Sequence, residues 1–392
     1  MSRSKAAPMK AVPRSTGARR SKLGTTPQQV RDGSMPTTTS RPAGNGLTAL
    51  LRHRFAAQHL STGKAESPHA AVRRLLAVQA QDYHAALWAV GLRTSGATAA
   101  TVEQALSERR IVRTWPMRGT LHLVAAEDVR WLQGLLAPRA LARDGNRHER
   151  EYGLDTKAMR ECRRAVERIL RDGEPMPRPA LYAALEADGI ATGGSRGLHI
   201  LMRLAHEGLI CQGPRVGKQP GFVWLDAWLP PTPPLSREEA LAELARRYIA
   251  GHGPATAHDL AWWSGLTLTD AKAALASVTS GLVGLDIDGI RHWQSHNAAA
   301  ASSTRGVLLL PAFDEYLLGY KDRTPVLDPD HHRKVFTING LIHPTVVAGG
   351  RVAGIWPRAA AEFEPNLFRP LGEAETRSLK TASERHEQFW KQ

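Results

Sequence analysis

From residue 46 onward one pattern of helix and strand signals recurs three times, and that recurrence limits the fold more than any single motif. Each time a lead helix is followed by shorter helices and then by two extended runs around a turn. In the first pass, residues 46–150, "SPHAAVRRLLAVQAQ" opens with Ser67 and Pro68, an N-cap hydroxyl and a proline at the first helical position. "IVRTWPMRGTLHLV" then reads as a hairpin turning near Met117 to Gly119. In the second, residues 151–230, two short helices stop at Gly189 and Gly208, and "LICQGPRVGKQPGFVWL" supplies the hairpin. In the third, residues 236–297, Ser236 and Glu239 have capping-box spacing, and "GLVGLDIDGIRHW" turns at Asp288-Gly289.

Helices followed by a hairpin are the winged-helix plan, a helix-turn-helix with a β-wing. Residues 305–392 change to short apolar runs separated by turn residues, the signature of a small β-sheet or barrel, and end in an amphipathic helix. The expected fold class is α+β: three tandem winged-helix units followed by a small C-terminal β-barrel.

The net charge is +15, and residues 1–45 carry +8 of it on nine Lys/Arg against Asp32 alone. This Ser/Thr/Pro/Gly-rich segment reads as a disordered basic tail, available as a nucleic-acid-binding arm or lying ahead of an alternative start at Met35. The body keeps +7 and suits a polyanionic partner, although an arginine-rich solvated surface has the same composition. No apolar run reaches membrane length, and the basic N-terminus lacks the apolar core of a secretory signal. Cys162 and Cys211 form no ligand pattern or disulfide framework. A cytoplasmic, nucleoid-associated monomer that touches no membrane and binds no cofactor or metal is expected.

Phosphate-loop, zinc, deaminase and serine-elbow motifs are all missing. What remains is an uncharged pair, Gln79 and Gln81, flanking Ala80. Val72, Leu75, Leu76 and Gln79 share a face at helical spacing, so the first glutamine continues an apolar stripe. On a continuous helix residues i and i+2 point about 200° apart, so a shared site requires the helix to end or bend near Ala80. Otherwise Gln79 bonds a neighbouring backbone group and Gln81 faces water. In the first wing, strand alternation places Arg118, Thr120 and His122 on one face, as a phosphate-contacting row or a solvated hairpin face. Arg215 and Lys218 hold the equivalent place in the second wing. In "LLLPAFDEYLLGYKDR", Asp314, Glu315, Lys321, Asp322 and Arg323 read as internal ion pairs.

Taken in order, "VQAQ", "RTWPMRGTLHLV", "HGPATAHDLAWWSGL" and "LLPAFDEYLLGYKDR" resemble the bacterial winged-helix DNA glycosylase family, AlkZ- and YcaQ-like, over residues 46–392. The resemblance implies the three winged helices and terminal barrel, and it assigns catalysis to a Gln-x-Gln or Gln-x-Asp motif. Here that motif is Gln79-Ala80-Gln81, similar to the AlkZ-type branch. It implies a monofunctional glycosylase acting on duplex DNA that carries bulky or cross-linked N-alkylpurines, N7-alkylguanine foremost. The role would be DNA repair or self-resistance to a DNA-alkylating natural product. Arg118, Thr120, His122, Arg215 and Lys218 are the expected DNA contacts. The alternatives are a non-catalytic winged-helix transcriptional regulator and a protein-interaction scaffold.

Overall fold

Proline, glycine and capping signals set the element boundaries, and strand pairing then joins what the sequence presents as separate units. The structure is a computed structural model that describes residues 44–391 except 62, 302, 338–339 and 358–362. Apart from its last two residues, the basic segment 1–45 lies outside the described residues.

The first group comprises α1 (Gly44–Ala57), α2 (Pro68–Leu75), β1 (Val78–Gln79), α3 (Tyr83–Arg93), α4 (Ala99–Ser107) and the hairpin β2 (Ile111–Met117) and β3 (Thr120–Ala125). Ser67 caps α2 through the Ala70 amide, with Pro68 at the first position. The helix α5 (Val129–Tyr152) leads into α6 (Thr156–Ile169), β4 (Met176–Pro177), α7 (Arg178–Ala187), α8 (Arg196–His206), the hairpin β5 (Ile210–Val216) and β6 (Gln219–Trp224), and the short α9 (Leu225–Trp228). The third group is α10 (Arg237–His252), α11 (Ala257–Ser264), α12 (Leu268–Ser277) and the hairpin β7 (Leu282–Ile287) and β8 (Ile290–Ser295). Ser236 and Glu239 close the expected capping box, each side chain accepting from the other's backbone amide.

The first two hairpins do not stand apart. They join in a six-stranded sheet of order β1-β3-β2-β5-β6-β4, held at the seam by Arg113 paired with Gln212. The third hairpin forms its own two-stranded sheet.

The C-terminal region holds β9 (Val307–Leu310), α13 (Glu315–Leu318), α14 (His332–Val335), β10 (Thr345–Ala348), β11 (Arg351–Ile355), β12 (Asn366–Leu367) and α15 (Glu373–Trp390). Its strands form an open four-stranded sheet of order β12-β11-β10-β9, so the expected closed barrel is absent among the described residues. Helix α15 takes the place of a closing strand: the Val307 amide on β9 donates to Ser378 Oγ of α15 at 2.8 Å, and edge groups satisfied by a helix need no closure.

One apolar core runs from Leu51, Phe55 and Leu87 of the first helices into Leu309 and Val347 of this sheet, Leu317 of α13 and Phe389 of α15. The C-terminal region therefore packs directly against the elements that flank the glutamines.

Candidate active site

The helix α2 ends at Leu75, four residues before Gln79, so the apolar stripe does not continue through the glutamine. The chain instead turns extended at β1, which pairs antiparallel with the first wing, Val78 opposite Leu123 and Gln79 opposite His122. The ladder carries on one residue further, with the Ala80 amide donating to the Leu121 carbonyl at 2.7 Å. The strand itself covers only Val78–Gln79 and Gln81 lies in the bend that follows, so the helix ends before the pair and the opposed faces of a continuous helix do not apply.

The second bond of that Ala80–Leu121 pair is rerouted. The Leu121 amide donates to Gln81 Oε1 at 3.2 Å, and the Ala80 carbonyl accepts from Arg113 Nε at 2.9 Å and Nη2 at 2.6 Å. Both glutamines therefore flank a peptide clamped from two sides. Gln81 is exposed, and its side-chain carbonyl is spent on the β3 backbone. Gln79 is 8% exposed, and its side-chain amide has no hydrogen-bond partner among the described residues. Asp82 follows at once as the N-cap of α3.

Behind the motif lies a carboxylate. The Gln79 amide donates to Glu315 Oε1 at 3.1 Å, and Trp263 Nε1 donates to Glu315 Oε2 at 2.8 Å. His252 Nε2 lies 3.5 Å from the same oxygen. Burial alone would push the Glu315 carboxyl up, but His252, His122 and the Trp263 N–H outweigh it and hold it below the usual carboxylate range. The site thus holds a buried anion whose two N–H donors are fixed by secondary structure.

The three residues expected as a row in the first wing fall in different places. His122 is fully buried opposite Gln79; its Nδ1 lies 2.9 Å from the Thr120 carbonyl and its Nε2 has no partner. It is not on an outer surface where a phosphate would approach. Burial and the Arg118 charge pull its pKa down to about 4. Thr120 Oγ1 is likewise buried and unpaired. Arg118 is not on the strand at all: it occupies the turn at φ +55°, followed by Gly119 at φ +77°. Its Nε and Nη2 are buried without hydrogen bonds, and it lines a cavity of about 490 Å³ with Arg139 and Arg143. In the second wing Lys218 is exposed, while Arg215 is half-buried, donates to the Lys218 carbonyl at 2.8 Å, and stands 5.0 Å over the Tyr83 ring. The β5–β6 hairpin therefore reaches Tyr83, two residues after Gln81.

The acids of the "DEYLL" segment pair across the fold and not with their basic sequence neighbours. Asp314 accepts both Nη atoms of Arg93 at 2.8 Å in a fully buried fork, and Arg323 lies over Trp262 and Phe336. Arg113, Glu315, Trp263 and His252 were not singled out for the glutamine site by sequence. Only the "FDEYLL" and "LAWWSGL" segments hinted at them, as polar residues inside apolar runs.

The model of the family described as DNA glycosylase AlkZ-like matches residues 72–389. The chain is 30% identical over 305 residues to an interstrand DNA cross-link repair glycosylase of Streptomyces sahachiroi, a match that covers 73% of this chain and 80% of that protein. The solved structure of the Streptomyces sahachiroi DNA glycosylase AlkZ superposes with a TM-score of 0.74 at 25% identity, covering 86% of this chain and 95% of that one.

Proposed function

This chain belongs to the DNA glycosylase AlkZ-like family, and from that premise we propose that it is a monofunctional glycosylase for bulky or cross-linked N-alkylpurines in duplex DNA, N7-alkylguanine foremost. One observation carries the reading: Gln79 and Gln81 flank a single clamped extended peptide, and each keeps amide capacity that no described group uses. A relative that bears the name of a cross-link repair glycosylase favours cross-linked purines as substrates, in repair or in self-resistance.

Chemistry makes two amides sufficient. An N7-alkylated guanine is already cationic, so its base leaves without protonation. Water attacks C1′, the glycosidic bond breaks with its electron pair passing to the purine, and the base departs neutral while the water proton goes to solvent. The protein's task is to hold that water and the sugar in place. An amide offers a carbonyl acceptor and two N–H donors and does not titrate near neutral pH. The buried Glu315 carboxylate, joined to the Gln79 backbone, adds a fixed negative charge behind the developing sugar cation. No lysine adjoins the motif to form a Schiff base, which leaves an abasic product.

DNA reaches the site between the two wings. Arg118, Arg139 and Arg143 offer a basic recess on one side, and Arg215 and Lys218 lie on the other. Trp262, 44% exposed beneath Arg323, supplies an aromatic face. Here the buried His122 and the buried hydroxyl of half-buried Thr120 shape the floor and do not contact the backbone.

A lesion panel in single-turnover assays tests the proposal. N7-alkylguanine duplexes are cleaved to abasic sites, while neutral O6-alkylguanine and hypoxanthine duplexes are not. Gln79→Ala and Gln81→Ala each lower excision by about tenfold or more with duplex binding little changed, since phosphate contacts dominate affinity. Wild-type rates in both variants, or efficient hypoxanthine removal, overturn it. Duplex binding with no base release from any lesion would point to the regulator reading.

A further inference from the structure

A cavity of about 370 Å³ is lined by Asp82, the residue that follows Gln81 in the chain. Its walls are Trp88, Trp356, Trp390, His84 and His386. The His386 ring stands at the centre of the cluster, 5.0 Å from Trp88 at 82°, 4.9 Å from Trp356 at 70° and 6.1 Å from Trp390 at 72°. Edge-to-face packing of this kind sets each of the three indoles steeply against the central imidazole. The walls are rigid: Trp88 and Trp356 are buried, and their indole N–H groups donate to the Leu309 and Leu310 carbonyls at 2.7 and 2.9 Å. Trp390 Nε1 is spent on His386 Nε2 at 3.0 Å.

Three features define the occupant. No lysine or arginine lines the cavity among the described residues, on a chain whose other large recesses are arginine-lined, so a phosphate is disfavoured. All three indole donors are taken, so the tryptophan walls present ring faces alone, and the polar groups left in the lining are Asp82 and the His84 and His386 imidazoles. A nucleobase enclosed there could pair its polar edges only at Asp82 and the two imidazoles, and edge groups facing the indoles would stay unpaired. A cation would find aromatic faces and the Asp82 carboxylate. However, charge leaves the purine as the glycosidic bond breaks, so a pocket that held the cationic ring would stabilise the ground state against the transition state.

We infer that this cavity receives an uncharged aromatic substituent carried by the alkylated purine, a group remote from the reacting bond. The inference rests on the glycosylase reading above and adds a substrate class to it: arylalkyl adducts. Binding energy from such a remote group positions C1′ against the glutamines without opposing the chemistry.

The test compares excision of N7-benzylguanine and N7-methylguanine from the same duplex by wild type, Trp390→Ala, which removes one wall, and Ala85→Leu, which fills the cavity from α3. The wild type prefers the benzyl adduct by about tenfold, as burial of one aromatic ring predicts. Both variants lose that preference while their N7-methylguanine rates and melting temperatures stay near wild type. No preference in the wild type, or a preference retained in both variants, overturns the inference. A separate measurement covers failure of the reaction reading itself. If neither adduct is cleaved, benzyl alcohol titrated into the intact protein still quenches tryptophan fluorescence saturably in the wild type and not in Ala85→Leu. Quenching that is linear or identical in the two proteins overturns the cavity's role.

Discussion

Arg113 holds the Ala80 carbonyl in a fork, with Nε at 2.9 Å and Nη2 at 2.6 Å, while its Nη1 donates to Gln212 Oε1 at 2.8 Å. One side chain thereby ties the peptide between the two glutamines to the strand where the first and second hairpins meet. Arg113→Lys keeps a charge but loses the planar fork. We expect it to lower the single-turnover rate by about tenfold with duplex affinity and melting temperature near wild type. A rate loss matched by an equal loss of affinity would mean that Arg113 serves binding and not alignment.

Arg118 sits at positive φ with buried, unpaired guanidinium nitrogens, two costs that a residue selected for stability would not carry. Asparagine suits this turn conformation and removes the unpaired charge. Arg118→Asn is expected to raise the melting temperature while weakening duplex binding and lowering the salt slope by about one ion. An unchanged slope would show that Arg118 meets no phosphate.

Burial first, and then Arg118, depresses His122 to about 4, so it stays neutral from pH 6 to 8. The excision rate should be flat across that window. Stability behaves differently: the unfolded chain takes up a proton near pH 6.5 and the folded chain only near 4, so the contribution of His122 is present above about 6.5 and lost as pH falls towards 4. The shift corresponds to about 3 kcal/mol. Equilibrium unfolding at pH 7 and 4.5 should show a smaller drop for His122→Asn than for wild type. A steep rate limb between pH 6 and 8 abolished by the same variant would assign His122 to proton transfer.

The Arg93–Asp314 fork, with both side chains at most 1% exposed, joins α3 to the segment that presents Glu315. Removing one partner strands a buried charge, so Asp314→Asn should cost about 3–5 kcal/mol in urea unfolding. The double change Arg93→Met with Asp314→Leu should recover much of it. If the single variant unfolds like wild type, the pair does not hold these elements together.

Local chemistry was legible wherever neighbours in sequence decide the outcome. Ser67-Pro68, the Ser236/Glu239 box and the Asp288-Gly289 turn each act within a few residues, and each is found as read. The Gln-Ala-Gln motif was visible as an anomaly, two amides in an apolar stretch, but its geometry was not. A helical period ran up to Gln79, and only pairing with a strand some forty residues later drew the segment into extended form. The same pairing turned His122 inward, since alternation along a strand assigns side chains to two faces and cannot say which face another helix will cover. The open sheet in place of a barrel was decided by α15, packed along β9. Glu315 reaches Gln79 across 236 positions, and Arg113 reaches Ala80 across 33. Sequence by itself determined the caps and turns that bound the elements, the charge and the candidate pair. Tertiary structure alone decided which buried charges surround that pair, because a carboxylate and its donors meet only after the core that carries them has closed.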